Sequence, residues 1–262
     1  MNIIVCVKQI PMNAGVKDKS GNYTVTRDNM ESTLSPYDLC ALEEAKRLKD
    51  LHGGKITAIT MGVDSIERNV KEYMALGADE AVLVTDRCFA GSDTLATSRV
   101  LAEVINKIGN YDLIICGAQS LDGDTAQVGP EVGEKLNIPA VTYVEKIDML
   151  ESGKMECVRL VETGKIRVIT EFPCLVTVTN RINQPRGARI RDIVNARKNS
   201  VKKWNNDDIG IDRNLCGILG SATQVTEVKK IESHKKNEFM EGTISDIIER
   251  LNRIVVRGNK DA

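Results

Sequence analysis

Short runs of β-branched residues alternate with amphipathic helical stripes through the first 140 residues. Each run is long enough for one buried strand, and each stripe repeats apolar residues with the period of a helix. The predicted strands are residues 2–7, 55–61, 80–84 and 112–116, and the stripes start at Tyr37, Ile66, Leu95 and Val128. Strands that alternate with helices of this length form parallel sheets. The pattern predicts an α/β fold with a doubly wound, mostly parallel sheet.

The pattern changes in the second half of the chain. Three further strands, separated by turn residues, are predicted at 156–161, 166–170 and 174–179. They indicate a β-hairpin region added to the sheet. Residues 181–203 are basic, and residues 204–240 are polar with no clear period. A last amphipathic helix carries Ile244 to Val255 on one face,. Residues 204–240 are expected to form an extended arm without a core of their own.

The charge and the cysteine pattern exclude several classes of protein. A net charge of −1 over 262 residues argues against nucleic-acid binding,. No run of eighteen apolar residues occurs, so no membrane span is expected. The N-terminus lacks the basic region and cleavage site of a secretory signal, so no such signal is expected, and the odd number of scattered cysteines fits a reducing cytoplasm,. The seven cysteines form no CxxC pair and the two histidines are isolated, so we expect no metal site and no histidine-based catalysis,.

The loop after the fourth strand is the most informative segment, because doubly wound folds bind ligands at the carboxyl ends of their strands. Its glycines let backbone N–H groups approach a ligand closely,. Asp124 can cap the next helix with Gln127 as its capping-box partner, which would leave a positive helix end for a pyrophosphate. Because of Pro130, a helix start near Gly129 is the alternative. A loop that only turns the chain is equally compatible with the spacing.

A second candidate loop covers residues 89–98. Ser92 or Asp93 can cap the following helix, and Thr94 and Thr97 lie about one turn apart on one face,. Both hydroxyls could meet phosphate oxygens, although ordinary helix capping explains the same residues. Neither GxGxxG nor a P-loop occurs in the chain,. Standard dinucleotide and nucleoside-triphosphate fingerprints are therefore absent from the sequence.

Taken together, these loops resemble the β subunit of electron-transfer flavoprotein along nearly the whole chain. The matching segments are residues 5–11, 35–38, 77–81, 89–98, 122–130, 173–179 and 183–186. The chain departs from the family pattern in a shortened turn at 162–165 and in Ser35, where the family more often has Asn. Neither departure falls in the predicted phosphate loop. The resemblance implies a Rossmann-like α/β domain over residues 1–180 that binds an adenine nucleotide. It also implies a recognition loop and C-terminal arm over 181–262 that embraces an α subunit.

The family likeness also implies a set of cofactor-binding residues. The adenosine is expected against Cys6, Ser35, Pro36, Tyr37, Asp38 and Met61, chiefly through backbone groups. The phosphates are expected at Gln119, Asp122, Gly123, Asp124, Thr125, Ala126, Gln127 and Val128. Thr94 and Thr97 are candidates for an FAD diphosphate, and Gly62 and Val63 for contact with FAD or NAD. Glycine at 62 would let a phosphate approach the backbone.

Two branches of the family differ in the nucleotide that the β subunit holds. Simple electron carriers hold a structural AMP, whereas electron-bifurcating members hold a second FAD that takes hydride from NADH. The small residues of 122–128 and the threonines of 89–98 look like the bifurcating type, which we favour. The chain would then be a subunit of an NADH-dependent flavoprotein oxidoreductase without a catalytic side chain. Electrons would go to ferredoxin and, through the FAD of the α subunit, to an acyl-CoA dehydrogenase or reductase.

The basic segment has a matching role in the family. There, the residues after Pro185 and Arg186 form a recognition loop with an apolar anchor that docks an acyl-CoA dehydrogenase. The corresponding anchor is Ile190, flanked by Arg189 and Arg191. A buried apolar anchor with a charged rim is typical of a binding hot spot. A solvated basic face is the alternative for this segment, and a free-standing nucleotide-binding sensor is the alternative for the chain.

Overall fold

The computed structural model describes residues 1–11, 32–151, 153–226 and 239–258. The chain divides into two compact units, Met1–Thr226 and Glu227–Ala262. The first unit contains a nine-stranded sheet in the order β11-β5-β4-β1-β6-β10-β7-β8-β9. Its strands are β1 (Asn2–Cys6), β4 (Lys55–Met61), β5 (Glu80–Val84), β6 (Leu113–Gly117), β7 (Ala140–Met149), β8 (Met155–Val161), β9 (Gly164–Thr170), β10 (Cys174–Val178) and β11 (Lys202–Trp204). A separate two-stranded sheet pairs β2 (Gln9–Pro11) with β3 (Ser32–Leu34).

The strands from β11 to β7 pair in parallel, and β7, β8 and β9 pair antiparallel. This confirms the predicted α/β class with a mostly parallel sheet and an added hairpin region. The central strands are apolar on both faces: Val5, Ile114, Ile115 and Val176 are fully buried. Such runs suit a parallel sheet that helices cover on both sides.

The helices are α1 (Pro36–His52), α2 (Glu67–Ala75), α3 (Thr94–Ile108), α4 (Val128–Lys135), α5 (Ile190–Lys198), α6 (Asn206–Ile209), α7 (Gly217–Gly220) and α8 (Ile244–Gly258). One core layer joins Leu42 and Leu48 of α1 to Val70 and Tyr73 of α2. The other core layer contains the apolar stripe of α3 and Val132 of α4. The first two helices therefore cover one face of the sheet, and the next two cover the other, as a doubly wound fold requires.

Strand β7 is an element that the sequence pattern hides. Its buried apolar residues are Val141, Val144 and Ile147, spaced by three rather than by two. The register with both neighbouring strands shifts within β7, and Tyr143 has a φ of 56°. An irregularity of this kind adds a residue to one strand, so buried and exposed side chains no longer alternate along it as they do in a regular strand.

Residues 202–226 are part of the first unit, which differs from the extended arm expected for 204–240. Strand β11 pairs in parallel with the edge strand β5, and Trp204 packs on the α3 side of the core. Ile211 and Cys216 are buried there as well. The part of that span from 227 to 238 lies outside the described residues. The functional division into 1–180 and 181–262 stays a prediction.

The second unit contains α8, which matches the predicted amphipathic tail helix. Ile244, Ile248, Leu251 and Ile254 are all exposed along it. Within the described part of the chain, no helix is both long and apolar enough to cross a membrane.

Candidate nucleotide site at the switch point of the sheet

The strand order reverses between β1 and β6. From β1 the chain proceeds outward through β4 and β5 and then returns to β6 on the other side. The loops that leave β1 and β6 diverge at such a point, and the crevice between them is where open α/β sheets bind ligands. The Lys8 side chain spans this crevice: its Nζ lies 3.3 Å from Ser120 Oγ and 2.8 Å from Asp122 Oδ1.

Asp38, in the first turn of α1, ties the two strand ends together. Its carboxylate accepts hydrogen bonds from the backbone N–H of Lys8 (2.7 Å) and of Gly117 (3.1 Å). A Cβ atom at position 117 would lie 2.3 Å from Asp38 Oδ1, so this close approach requires glycine. Burial raises the pKa of Asp38 from an ordinary 3.8 to about 7, against the lowering effect of the two backbone bonds and of the Lys8 ammonium,.

The predicted adenosine-lining residues 35–38 form the entry to α1. Pro36 occupies the start of the helix, where its missing N–H costs nothing,. The Ser35 N–H donates to the Lys8 carbonyl (3.2 Å), which joins this entry to the end of β1. Ser35 is fully buried, and its hydroxyl has no hydrogen-bond partner within the described residues. Buried hydroxyls without a partner are rare in proteins, and a bound polar group or water usually accounts for them.

Cys6 lies beneath the same crevice. It is the register partner of Cys116 on β6, and both side chains are buried. A hydrogen bond to Cys6, together with burial, raises the pKa of the Cys116 thiol. The Cys116 thiol therefore stays neutral, and the buried Cys6 side chain can line the site by contact,.

The loop over residues 117–128 has a different form from the one predicted. Helix α4 begins at Val128, and Asp124 does not cap it: its carboxylate accepts a hydrogen bond from Gln119 Nε2 (2.6 Å). The predicted capping box of Asp124 with Gln127 is therefore wrong. The reason is that Asp124 and Ala126 adopt the left-handed backbone region, with φ of 52° and 56°. The chain therefore continues as a turn after Asp124, and the helix begins only at Val128. Gln127 occupies the N-cap position, and no side chain of the described residues caps the helix, so the N–H groups of Val128 and Gly129, which precede Pro130, remain available to an anion,.

The start of α3 meets this loop across the crevice. Thr94 Oγ1 lies 3.2 Å from Gln127 Oε1 and 3.3 Å from Glu131 Oε1. The structure thus brings together the two loops that the sequence marked for phosphate. Thr97 is half-buried one turn further along α3. Glu131, which sequence analysis passed over, also accepts a hydrogen bond from Ser98 Oγ (2.9 Å).

Asp93 is the residue that caps α3, one of the two alternatives that the sequence left open. Its Oδ1 accepts from the Ala96 N–H (3.0 Å), while its Oδ2 accepts from the Thr223 N–H (2.9 Å). A carboxylate therefore already occupies the positive end of α3. Ser92 serves a different contact, since its Oγ accepts from the Gly217 N–H (3.1 Å). Hydroxyl groups, and not the α3 helix end, are what this loop offers to a phosphate.

The end of β4 places the remaining predicted residues. Met61 is half-buried and Val63 is exposed. The Gly62 N–H donates to the Val84 carbonyl (3.0 Å) of β5. A Cβ at position 62 would lie 2.5 Å from the Ile66 Cδ1 atom, so glycine at this position makes room for Ile66. Contact of Gly62 and Val63 with a nucleotide stays a prediction.

The predicted docking residues lie at the start of α5, which is a short helix and not a loop. Ile190 is 82% exposed. Arg189 Nε lies 2.6 Å from Asp192 Oδ2, and Arg191 Nε lies 3.9 Å from Asp192 Oδ1. Upstream, Arg186 Nε pairs with Glu43 Oε1 of α1 at 2.5 Å. The predicted apolar anchor, Ile190, therefore lies at the start of a helix, and the segment that leads into this helix is held to α1 by the ion pair of Arg186 with Glu43.

The residues around the switch point have the chemistry that a phosphate-bearing ligand requires. The crevice offers the uncapped start of α4, a lysine ammonium and threonine hydroxyls, which are the usual partners of phosphate oxygens. The unpartnered Ser35 hydroxyl and the close approach at Gly117 lie beside the same strand ends. The geometry thus supports a phosphate-bearing ligand that reaches from β1 and β6 toward α3.

Comparisons with known proteins point in one direction. A family model described as the electron transfer flavoprotein domain matches residues 23–209. The chain is 41% identical over 257 residues to electron transfer flavoprotein subunit beta of Thermoanaerobacterium thermosaccharolyticum, covering 96% of this chain and 98% of that protein. It is 42% identical over 235 residues to protein FixA of Bradyrhizobium diazoefficiens, covering 87% and 82%. It is 38% identical over 244 residues to caffeyl-CoA reductase-Etf complex subunit CarD of Acetobacterium woodii, covering 93% of each. The chain belongs to the electron-transfer flavoprotein family and is one of its β subunits.

Proposed function

We propose that this β subunit pairs with an α subunit and binds FAD in the crevice between β1 and β6, as part of an NADH-dependent, electron-bifurcating flavoprotein complex. The observation that carries the FAD assignment is the contact of Thr94 with Gln127. This contact joins the polar groups at the start of α4 to those at the start of α3, so that they form one continuous polar surface. A surface of this extent suits a dinucleotide, whereas AMP needs only the part beside β1 and β6.

Each part of the crevice has its own task in this proposal. Residues 35–38 hold the adenosine, and the α4 start binds the phosphates with help from Gln119 and Gln127. Thr94 and Thr97 add hydroxyl hydrogen bonds toward the flavin end, beside Gly62 and Val63. Bound FAD would supply hydride acceptance from NADH and single-electron transfer, and the protein would supply binding, orientation and tuning of potential.

The partners follow from the same assignment. The α subunit would carry the other FAD and would cover the exposed apolar face of α8,. An acyl-CoA dehydrogenase or reductase would dock on Ile190, with Arg189 and Arg191 orienting its approach. Ferredoxin would take the low-potential electron. We place this chemistry in the cytoplasm, where the seven cysteines, all free, would stay reduced,.

A simple electron carrier with structural AMP is the second candidate. The observation that favours it is the cap of α3, because the Asp93 carboxylate repels a phosphate placed at that helix end,. In this alternative Thr94 would only brace Gln127 and Glu131, and the phosphate site would be confined to α4.

Nucleotide analysis of the purified α/β complex separates the two candidates. Acid extraction followed by chromatography should give two FAD per complex, and NADH should bleach flavin absorbance in the absence of any dehydrogenase. One FAD and one AMP per complex, with no response to NADH, would eliminate bifurcation and leave the carrier. A complex without adenine nucleotide in the β subunit would reject both.

A further inference from the structure

We propose that Lys8 is the residue that neutralises the phosphate charge of the bound nucleotide, and that Asp122 is the counter-ion that the Lys8 ammonium exchanges for phosphate. This inference rests on the proposed nucleotide site and names the residue that gives the site its preference for phosphate. Neither the strand pattern nor the cofactor-binding residues predicted from sequence included Lys8.

The charge inventory of the crevice is the first observation. The segments that surround it are residues 6–10, 35–38, 61–65, 91–98 and 117–128. They contain five acidic residues, Asp38, Asp64, Asp93, Asp122 and Asp124, and one basic residue, Lys8. Lys203, which lies outside these segments, pairs with Asp64 at 2.8 Å and so leaves the other acids to Lys8. A diphosphate brings further negative charge into this acidic surround. Backbone N–H groups contribute only partial positive charges, so the ammonium of Lys8 is the one full positive charge that these segments can offer.

The position of Lys8 is the second observation. Its N–H donates to the buried Asp38 carboxylate, and its carbonyl accepts from the Ser35 N–H. The backbone of Lys8 is thus fixed on both sides at the end of β1. Its side chain, by contrast, is 41% exposed and reaches across the crevice to the loop that leads into α4. A fixed base and a movable ammonium suit a group that changes partners when a ligand arrives.

The pair with Asp122 is the third observation. Lys8 Nζ lies 2.8 Å from Asp122 Oδ1, and the Asp122 side chain is 20% exposed. Although burial acts to raise the pKa of Asp122, the Lys8 ammonium holds it below its usual range. Asp122 therefore stays ionised and keeps Lys8 poised over the phosphate loop. When the diphosphate of a nucleotide enters, the ammonium gains a partner that carries at least two negative charges in place of a single carboxylate, and the displaced Asp122 turns toward solvent.

The test measures discrimination between ADP and adenosine, by calorimetric titration of each into the α/β complex freed of bound nucleotide. Lys8→Met should weaken ADP binding about 10- to 100-fold, the range of one hydrogen bond to a charged group. Adenosine binding should stay the same, since the adenosine contacts do not involve the ammonium. Lys8→Arg should restore most of the ADP affinity because it keeps the charge. Asp122→Asn should strengthen ADP binding by removing the competing carboxylate.

A matched control is Lys49→Met, which breaks a pair of similar form with Asp79 at the opposite end of α1. It should leave both affinities unchanged. Equal losses of ADP and adenosine affinity in Lys8→Met would show a structural role and overturn the proposal, as would an unchanged ratio. Weaker ADP binding in Asp122→Asn would overturn the exchange. Failure of the wild-type complex to bind either compound would instead reject the nucleotide site itself, and Lys8 with it.

Discussion

The buried carboxyl group of Asp38 should make stability depend on pH in a way that one substitution removes. The pKa of Asp38 is about 7 in the folded chain and 3.8 in an ordinary, solvated aspartate. The folded state therefore binds the proton more tightly than the unfolded state. The stabilisation is complete below about pH 4 and is lost as the pH rises to about 7.

The size of the effect follows from the two pKa values. Between pH 5 and pH 8, the titration of Asp38 should lower the unfolding free energy of the wild-type protein by about 2.5 kcal/mol. In Asp38→Asn the side chain cannot ionise, so this contribution disappears. The amide oxygen can accept from either Lys8 or Gly117 but not from both, which costs about 1 kcal/mol at every pH. This pH-dependent loss in the wild type exceeds the cost of the lost hydrogen bond, so Asp38→Asn should be the more stable protein at pH 8 and should gain about 2.5 kcal/mol on the wild type between pH 5 and pH 8,.

Urea unfolding at pH 5 and pH 8, at one protein concentration, measures this double difference. Because other titrating groups contribute equally to both proteins, they cancel. Asp148→Asn is a suitable control, since Asp148 is a half-exposed partner of Lys146 and its replacement should leave the pH dependence unchanged. If wild type and Asp38→Asn differ by the same free energy at both pH values, Asp38 does not retain its proton in the fold and the reasoning fails.

Three further changes test other parts of the molecule. Gly117→Ala should lower the unfolding free energy by about 1–3 kcal/mol, because its Cβ would lie 2.3 Å from Asp38 Oδ1, whereas Gly187→Ala, with open space around it, should be nearly neutral in a thermal melt,. Thr94→Val should reduce the FAD retained by the purified complex about 10-fold, and unchanged retention would remove Thr94 from the site. Ile190→Ala should slow electron delivery to the dehydrogenase about 10-fold while NADH oxidation continues. The same truncation at Ile169, which is 58% exposed on β9, should change neither rate, and loss of both activities in Ile190→Ala would contradict docking.

The doubly wound sheet could be predicted from sequence because its strands and helices each carry a regular period. Strands β4 and β5 begin and end at the predicted residues. Strand β11 could not be found in this way, since two of its three residues are lysines whose ammonium groups pair with acidic residues on neighbouring elements. An edge strand of this kind is specified by its contacts with the sheet and not by its own pattern.

The location of the candidate site could be predicted from the sequence, but the contacts between its side chains could not. Strand ends and glycines marked the loops, because those features are local in sequence. The partners of Lys8, Asp38 and Thr94 lie 30 or more residues away along the chain, so only the fold brings them together. The misplaced cap at Asp124 has a different, local origin, because Gln119 lies only five residues before it. Local capping rules cannot register that Gln119 binds its carboxylate and that the chain turns through left-handed geometry before α4 begins.

Helix α1 contacts both the proposed nucleotide site and the segment that leads to the proposed docking residues. Its first turn contributes Asp38 to the crevice, and its next turn contributes Glu43, which binds Arg186 through both side chain and backbone. Asn183 Nδ2 donates to the Cys40 carbonyl (3.0 Å) of the same helix. A shift of α1 at the crevice would therefore move the approach to Ile190 as well. Since Glu43 is buried and its partner Arg186 precedes Ile190, α1 is the element on which the proposed nucleotide site and the proposed docking segment are both supported.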